Sequence, residues 1–300
     1  MATISGQLKD ASVKGKPRDL MNIIFNVAPT DTPFLTMCGK SKAVQTLHEW
    51  QTDTLADPKE NSALEGADVK DFVASATTEL SNKTQILSTA INVSATAQAI
   101  EQAGVDKQYN YQMALRTKEL KKDVEFALLQ NKLERADNGS NQGRLMRGLP
   151  TWMQTNWNVG ASTGAIAVPS SKACTAGTAR VPDEATVKNV LTKIYESGGD
   201  PDRIMMAPGI RVKMSEVLNG GATRMENVDK KKATAVIDVY VSDFGTLKLM
   251  PNRVQAKVDY SKACAFILDP QYWKVAYLRG FREERLAHTG DNMKGHIVVE

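Results

Sequence analysis

The side chains that most often carry catalysis or bind metals are few in this sequence, and their spacing matches no familiar site. His48, His288 and His296 are the only histidines, and none belongs to an HExxH pair of the kind that binds zinc. The glycine cluster at 160–164 has no hydrophobic strand before it and no lysine–serine/threonine pair after it, so we expect a loop rather than a phosphate site. The sequence therefore predicts a protein that is not an enzyme and that holds no metal or cofactor.

The three cysteines, Cys38, Cys174 and Cys264, are far apart and form no CxxC pair. An odd number of distant cysteines indicates neither a disulfide framework nor a zinc site. Free thiols are typical of proteins made in a reducing cytoplasm. We therefore expect reduced, isolated thiols.

Two adjacent carboxylates could be considered for acid–base chemistry. Glu283 and Glu284 point to opposite faces if their segment is extended, and Arg282 and Arg285 flank them. The pattern favours a surface ion-pair cluster that contributes little to stability.

Composition allows a real hydrophobic core but no strongly basic face. The chain has 300 residues, 42% of them hydrophobic, and a net charge of +4 with acids and bases interleaved. Tight, sequence-specific nucleic-acid binding is therefore not expected, whereas weak non-specific contact stays open. The N-terminus lacks a signal-peptide core and no apolar run approaches about 20 residues, so no membrane association is predicted.

An arm and a long ribbon dominate the first third of the chain. Apolar residues recur at helical spacing from Leu20 to Val27, and Pro29 and Pro33 predict an extended path after them. Strand-forming residues at 44–55 and 72–94 flank a turn-rich tip, which predicts a two-stranded excursion. An isolated hairpin is marginal in water, so we expect this one to lie on another subunit. The alternative is a flexible surface loop that contacts no other subunit.

The middle of the chain predicts one long helix. Residues 105–133 would extend over roughly 40 Å, with Lys121 and Glu125 four residues apart on an outer face that is either solvated or faces another subunit. The apolar stripe of this helix comprises Met113, Leu120, Val124, Ala127 and Leu128.

The remaining elements mix helices with strands. Helices are predicted after Asp183 and after Pro208, with a buried strand at 203–207 between them. Alternating apolar residues predict further strands at 237–242, 247–249, 264–268, 273–278 and 296–299. This order of elements is typical of an α+β fold.

Two stretches resemble a known family. The sequences APTDTPF at 28–34 and TLHEWQTD at 46–53 are similar to the arm and extended loop of tailed-bacteriophage major capsid proteins with the Hong Kong 97 fold. Weaker similarity continues through Arg147-Gly148-Leu149 and the strands near Phe281, so it covers essentially the whole chain.

The resemblance implies an α+β, Hong Kong 97-type capsid fold and a division of the chain into four parts. These are an N-terminal arm (1–43), an extended β-hairpin loop or E-loop (44–88), a peripheral domain (89–180 and 252–300) holding the spine helix (105–133), and an axial domain (181–251). Hexamers and pentamers of one chain would form an icosahedral shell around double-stranded DNA.

The resemblance also implies partners and a location. The virion capsid would assemble in the bacterial host cytoplasm, with non-specific contacts to packaged DNA. We expect a separate scaffold, because no long extension precedes the arm, together with a portal and a cement protein. An encapsulin-like compartment subunit with protein cargo is the alternative, and an enzyme with a diffuse active site ranks last.

Side chains that the arm and ribbon cannot bury by themselves are the candidates for subunit contacts. These candidates are Leu20, Ile24, Phe34, Leu47, Trp50, Leu55 and Phe72.

Overall fold

The computed structural model describes residues 29–62, 64–66, 68, 74–102, 104–160, 173–220 and 239–300, which form an α+β fold. The helices are α1 (Pro33–Met37), α2 (Ala95–Ala99), α3 (Gln108–Leu129), α4 (Glu184–Glu196) and α5 (Pro208–Gly220). The strands are β1 (Gly39–Lys42), β2 (Leu47–Thr52), β3 (Thr78–Lys83), β4 (Leu87–Ser94), β5 (Arg203–Met206), β6 (Val239–Ser242), β7 (Gly245–Pro251), β8 (Ala265–Leu268), β9 (Lys274–Tyr277), β10 (Arg282–Leu286) and β11 (Asn292–Val299). Short 3₁₀ turns occupy Leu149–Trp152, Gln255–Lys257, Ser261–Ala263 and Pro270–Tyr272.

These strands form four small sheets. A three-stranded antiparallel sheet has the order β10-β11-β4. A four-stranded sheet has the order β6-β7-β5-β8 and is mixed, since β5 runs parallel to β7 and antiparallel to β8. Strand β1 pairs in parallel with β9, and β2 pairs only with β3. We call 47–83 the ribbon and the remaining described residues the body.

The long helix α3 packs on the three-stranded sheet and lies within the predicted range of 105–133. Leu120 and Val124 of its predicted apolar stripe share a buried cluster with Ile297 of β11. Side chains of the helix lie directly against Gly295 of β11, where a Cβ atom would lie 2.6 Å from Met113 Cε. A glycine in this strand therefore allows the helix to approach.

Helices α4 and α5 pack together on one face of the four-stranded sheet, as their predicted apolar faces require. The Asp183 side chain caps α4 by accepting a hydrogen bond of 2.9 Å from the backbone N–H of Thr186. Gly198, with φ of +82°, takes the left-handed conformation that ends this helix. The predicted helix bounded by these two residues is confirmed.

The opposite face of the same sheet joins the two halves of the body. Because strand residues alternate between faces, Met205 points away from α4 and α5. It contributes to a buried cluster that includes Phe34, Leu129 and Phe266. The end of α3, the helix α1 and the four-stranded sheet therefore share one core.

Two predictions about local structure are wrong. Residues 33–37 are helical rather than extended, because Pro33 occupies the first turn of α1, where its missing N–H is not needed. Glu125 does not lie on a solvated outer face but is 0% exposed. Sequence spacing places it four residues from Lys121, yet α1 and the residues after β7 cover that side of α3.

Glu125 is buried as a hydrogen-bond acceptor for two distant segments. Its Oε1 accepts from the backbone N of Phe34 at 2.9 Å and from Nδ2 of Asn252 at 2.6 Å, and its Oε2 accepts from the backbone N of Leu35 at 2.7 Å. Burial raises the pKa of the Glu125 carboxyl, and these three hydrogen bonds counteract part of that rise. The carboxylate thus fastens α1 and the segment after β7 to the middle of α3.

The predicted ribbon is confirmed in its strands but differs in length. Strand β2 pairs antiparallel with β3, with Trp50 opposite Leu80. The predicted strand 72–94 is interrupted at 84–86, after which β4 enters the three-stranded sheet. Residues 69–73, the arm helix at 20–27 and the beginning of the strand at 237–242 lie outside the described residues.

Replacing Glu125 by Gln should destabilise the body. The amide presents one acceptor oxygen where three donors converge, so at least one buried donor loses its partner, at a cost of about 1–3 kcal/mol in the free energy of unfolding. Urea unfolding of the isolated subunit measures this change. The control is Glu119→Gln, which alters a partly exposed carboxylate of the same helix, paired with Arg116, and should stay within about 0.5 kcal/mol. Equal midpoints for the two variants would contradict the structural role of Glu125.

Candidate assembly surfaces

Stacked side chains hold the base of the ribbon against the body. His48 and Trp50 lie on the same face of β2, with ring centroids 5.9 Å apart. Trp50 contacts Trp152 of the body at a centroid distance of 5.4 Å, and the guanidinium carbon of Arg147 lies 4.2 Å from the Trp152 ring centroid. Aromatic and cation–π contacts of this kind each contribute about 0.5–1.5 kcal/mol beyond area burial.

Hydrogen bonds from the loop before Trp152 complete this attachment. The backbone N of Arg147 donates to Oδ1 of Asn82 in β3 at 2.9 Å, and the backbone N of Met146 donates to Oε1 of Gln85 at 3.3 Å. The Arg147 side chain is itself buried and donates from Nη2 to the carbonyl of Thr151 at 2.7 Å. Burial lowers the pKa of Arg147, and the charge of Glu134 offsets part of the shift.

A cavity of about 680 Å³ lies between the ribbon and the body. The ribbon supplies His48, Trp50 and Leu80 as one wall, and Trp152 and Trp273 belong to the opposite wall. Its size is within the usual range of ligand pockets, and its walls are rich in aromatic rings. We refer to it as the ribbon–body cavity.

Glu300 forms a second buried carboxylate site at the edge of this cavity. Its Oε2 accepts from Nε and Nη2 of Arg279 at 2.8 and 2.6 Å, and its Oε1 accepts from Oγ1 of Thr84 at 3.0 Å and pairs with Arg144. Burial alone raises the pKa of Glu300, but hydrogen bonds from Arg279 and Thr84 and the charges of Arg279 and Arg144 bring it below the ordinary value. The site joins β11 to the segment between β3 and β4.

At the far end of the ribbon, the described residues make no comparable contacts with other described parts of the chain. We call residues 53–68 the tip, and its described residues are all exposed. Leu55 is 100% exposed and Leu64 is 84% exposed, although leucine is normally buried. Leu55 and Leu64 are therefore candidates for contact with another surface.

The structure places the predicted contact residues in different environments. Phe34 is 2% exposed in the core of its own chain, and Trp50 is half-buried against Trp152. Leu47 and Leu55 are exposed and stay candidates for contact with a neighbour. The other three candidates, Leu20, Ile24 and Phe72, lie outside the described residues.

The described residues offer little for catalysis. Burial raises the pKa of Cys38 to about 12 with the charge of Glu125 adding to the shift, and it raises the pKa of Cys264 to about 12 with Cys174 adding. Such thiols stay protonated at neutral pH and are poor nucleophiles. No group of three or more His, Cys, Asp or Glu residues within the described ranges could hold a metal ion. Among the helices described, none is long and apolar enough to cross a membrane.

Sequence reasoning missed the body side of this attachment. No local sequence pattern relates Arg147, Trp152 or Glu300 to the ribbon, so the sequence does not predict their contacts. The signal in the sequence is Trp152 itself, which follows Pro150 in a loop, because a tryptophan seldom stays without a packing partner. The expected ion pair in β10 is present, with Arg282 Nη2 2.6 Å from Glu284 Oε1.

Comparison with known proteins identifies the family of this chain. The family model of the SU10 major capsid protein matches residues 3–300. The chain therefore belongs to the SU10 major capsid protein family, which favours a capsid subunit over an encapsulin-like compartment. It is a structural subunit of a tailed-phage capsid, and the virion capsid is its location.

Individual relatives support the family and the fold. The chain is 29% identical over 321 aligned residues to the major capsid protein of Escherichia phage Phieco32, covering 95% of this chain and 90% of that protein. Solved chains from Mycobacterium phage Bobi and Mycobacterium phage Adephagia have TM-scores of 0.60 and 0.59 at 13% and 14% identity, each covering 98% of this chain and 90% of the other. A capsid chain of a native GTA particle has a TM-score of 0.55 at 11% identity, covering 95% and 90%. These structures show a shared α+β capsid fold.

Removing the indole of Trp152 should loosen the ribbon without unfolding the body. Trp152→Ala deletes the ring that lies between Trp50 and Arg147, so amide hydrogens of the β2–β3 pair should exchange roughly tenfold faster, as expected for a loss of about 1–2 kcal/mol. Hydrogen–deuterium exchange with mass spectrometry measures this rate. Exchange in β6 and β7 should not change. Trp157→Ala, in a partly exposed position of the following loop, is the matched control and should leave the ribbon as it is.

Glu300 should make the subunit sensitive to acid. The pKa of the Glu300 carboxyl in the folded chain is lower than the ordinary 4.5. The ionised carboxylate therefore contributes fully to the stability of the folded chain above pH 4.5, and this contribution is lost as the pH falls through the pKa of the folded state. Glu300→Gln should therefore reduce stability at neutral pH and flatten the decline below pH 4.5. Urea unfolding between neutral pH and pH 3 tests this. The control is Asp259→Asn, which changes a fully exposed carboxylate and should leave the decline of the free energy of unfolding with falling pH as in the wild type. If Glu300→Gln also left that decline unchanged, the stabilising role of the Glu300 carboxylate would be refuted.

Proposed function

We propose that this chain self-assembles through hexamers and pentamers into the icosahedral shell that encloses phage double-stranded DNA, after synthesis in the bacterial host cytoplasm. The observation that carries the proposal is the ribbon, whose base is fixed to the body while its tip exposes two leucines. A hairpin tip of this kind is marginal in water unless another surface covers it. A neighbouring copy of the same chain is the partner that a capsid subunit always has.

We further propose the Hong Kong 97 organisation and the branch with the APTDTPF arm and TLHEWQTD loop. In this division, 1–43 is the arm, 44–88 is the E-loop, and 181–251 is the axial domain. The peripheral domain comprises 89–180 and 252–300 and holds the spine helix at 105–133. The separate core under α4 and α5 supports a distinct axial unit, although the shared cluster around Met205 ties it to the rest.

Contact between the ribbon of one subunit and the body of the next would be heterologous and would close into rings. Modest contacts repeated around each ring and between rings give a stability that one subunit lacks. Leu47 and Leu55 are the exposed candidates for these contacts, and Leu20, Ile24 and Phe72 remain proposed ones. Phe34 and Trp50 would act within the subunit by fixing the position from which the ribbon projects.

Further partners are proposed on the resemblance to tailed-phage capsid proteins. They are a separate scaffold, a portal and a cement protein. Packaged DNA would contact the shell non-specifically, which the small net charge of +4 supports.

Deleting 56–70 should leave a soluble subunit that cannot form stable shells. The deletion removes residues 56–68 of the tip, including Leu64, and leaves Leu55, β2, β3 and the stacked residues at the base. Negative-stain electron microscopy with light scattering on the recombinant chain, with and without its scaffold, measures assembly. A chain lacking 139–142, an exposed loop after α3, is the control and should assemble. Normal shells from the first deletion would contradict the role given to the ribbon.

A further inference from the structure

The fold brings two of the three cysteines together, in contrast to the isolated thiols expected from the sequence. The side chain of Tyr260 forms hydrogen bonds with the thiols of both Cys174 and Cys264. Two sulfur atoms that share one hydroxyl group lie within roughly 7 Å of each other, twice the length of a long hydrogen bond. Cys38 instead interacts with the charge of Glu125. We call Cys174 and Cys264 the dithiol pair.

Hydrogen bonds that do not involve the thiols hold both cysteines at the C-terminal end of α3. The backbone N of Cys174 donates to Oδ1 of Asn131 at 2.9 Å, and Nδ2 of Asn131 donates to the Cys174 carbonyl at 2.8 Å. Ser261, in the turn before Cys264, donates from its hydroxyl to the carbonyl of Leu129 at 2.5 Å. The two cysteines are therefore placed side by side by the packing of their backbones on one helix end.

The two thiols of the pair differ in reactivity. Burial raises the pKa of Cys264 to about 12, and the charge of Cys174 adds to the shift. Burial also raises the pKa of Cys174, but the hydrogen bond from Tyr260 and the positive charge of Arg147 counteract that rise. Because the thiolate is the nucleophile in thiol oxidation, Cys174 reacts first. It lies in residues 173–183, which contain no helix or strand, so a small shift of this segment can bring the two sulfurs into bonding distance.

We propose that the dithiol pair is an oxidation site at which a peroxide closes an intramolecular disulfide between Cys174 and Cys264. The Cys174 thiolate attacks one oxygen of hydrogen peroxide, so that an S–O bond forms and the O–O bond breaks. The departing hydroxide takes the proton of the Cys174 thiol and leaves as water. The Cys264 sulfur then attacks the sulfur of the resulting sulfenic acid, and the second hydroxide leaves with the Cys264 proton as water. Two thiols are thus oxidised to one disulfide, and one peroxide is reduced to two waters.

This disulfide closes a loop that contains α4, β5, α5, β6 and β7, because Cys174 precedes α4 and Cys264 follows β7. Closing a long loop restricts the unfolded chain and so stabilises the folded one. The pair stays reduced in a reducing cytoplasm, and the bond forms after the particle reaches an oxidising medium. This timing rests on the proposed function, whereas closure of the bond in the isolated subunit does not.

Peptide mapping of the oxidised full-length subunit tests the site. The folded chain is treated with hydrogen peroxide, alkylated with N-ethylmaleimide in denaturant, and digested with trypsin without reduction. Mass spectrometry should find peptide 173–180 linked to peptide 263–274, with Cys38 carrying the maleimide. This link should exceed links to Cys38 by roughly tenfold, because the fold holds the two sulfurs together. Chain oxidised in concentrated urea is the matched control and should distribute its links over all three pairs, since the entropy of loop closure changes slowly with loop length.

Stability provides a second measurement. Oxidised wild type should unfold at a higher urea concentration than reduced wild type. Peroxide should cause no such rise in Cys174→Ala or in Cys264→Ala, because each variant keeps only one thiol of the pair.

Three results would overturn the inference. They are two free thiols after peroxide treatment, separately over-oxidised cysteines, and links to Cys38 that are as frequent as the link between Cys174 and Cys264. A subunit that forms the predicted link but never assembles into shells contradicts the proposed function alone, since the link is measured on the isolated subunit.

Discussion

A carboxylate taken out of water must recover its solvation from the protein, and Glu125 recovers it from donors in two segments far from it in sequence. The backbone of α1 supplies two N–H groups and Asn252 supplies the third donor. Asn252 in turn accepts from the backbone N–H groups of Val254 and Gln255, which fixes the turn after β7. Because a buried charge without its donors is strongly unfavourable, the chain before β1, the long helix and the exit from the four-stranded sheet must adopt one arrangement.

The same logic operates at the other end of the body. Glu300 holds Thr84 and Arg279 together, so the exit of the ribbon and the last strand are joined by a satisfied carboxylate. The base of the ribbon is held to the body by the aromatic contact of Trp50 with Trp152, and His48 packs beside Trp50 on the same strand. The molecule thus combines a body joined by the hydrogen bonds of two buried carboxylates with a ribbon whose described tip residues are all exposed. Such a division suits the proposed assembly from identical subunits, in which each subunit keeps its shape and an exposed segment contacts a neighbour.

Several elements could be predicted because their residues carry local signals. The stripe from Met113 to Leu128 predicts α3, and Asp183 and Gly198 predict the ends of α4. The same spacing argument fails at Glu125, because helical periodicity places a side chain on a face but does not say what covers that face. Pro33 predicts an extended chain from the sequence, although its fixed φ also suits the first turn of a helix. The choice between the two depends on the hydrogen bonds that Glu125 offers to Phe34 and Leu35, which are tertiary.

The sequence by itself determined that the chain is an α+β protein with a long helix, a polar ribbon and no familiar catalytic motif, and it carried the resemblance to phage capsid proteins. Those features follow from periodicity, turn residues and short motifs, which act between near neighbours. Only the tertiary structure decided that Phe34 is core, that Trp50 stacks on Trp152, and that a cavity lies between the ribbon and the body. These depend on which distant segments meet, and that is set by the packing of the whole core and by the need of buried charges for partners.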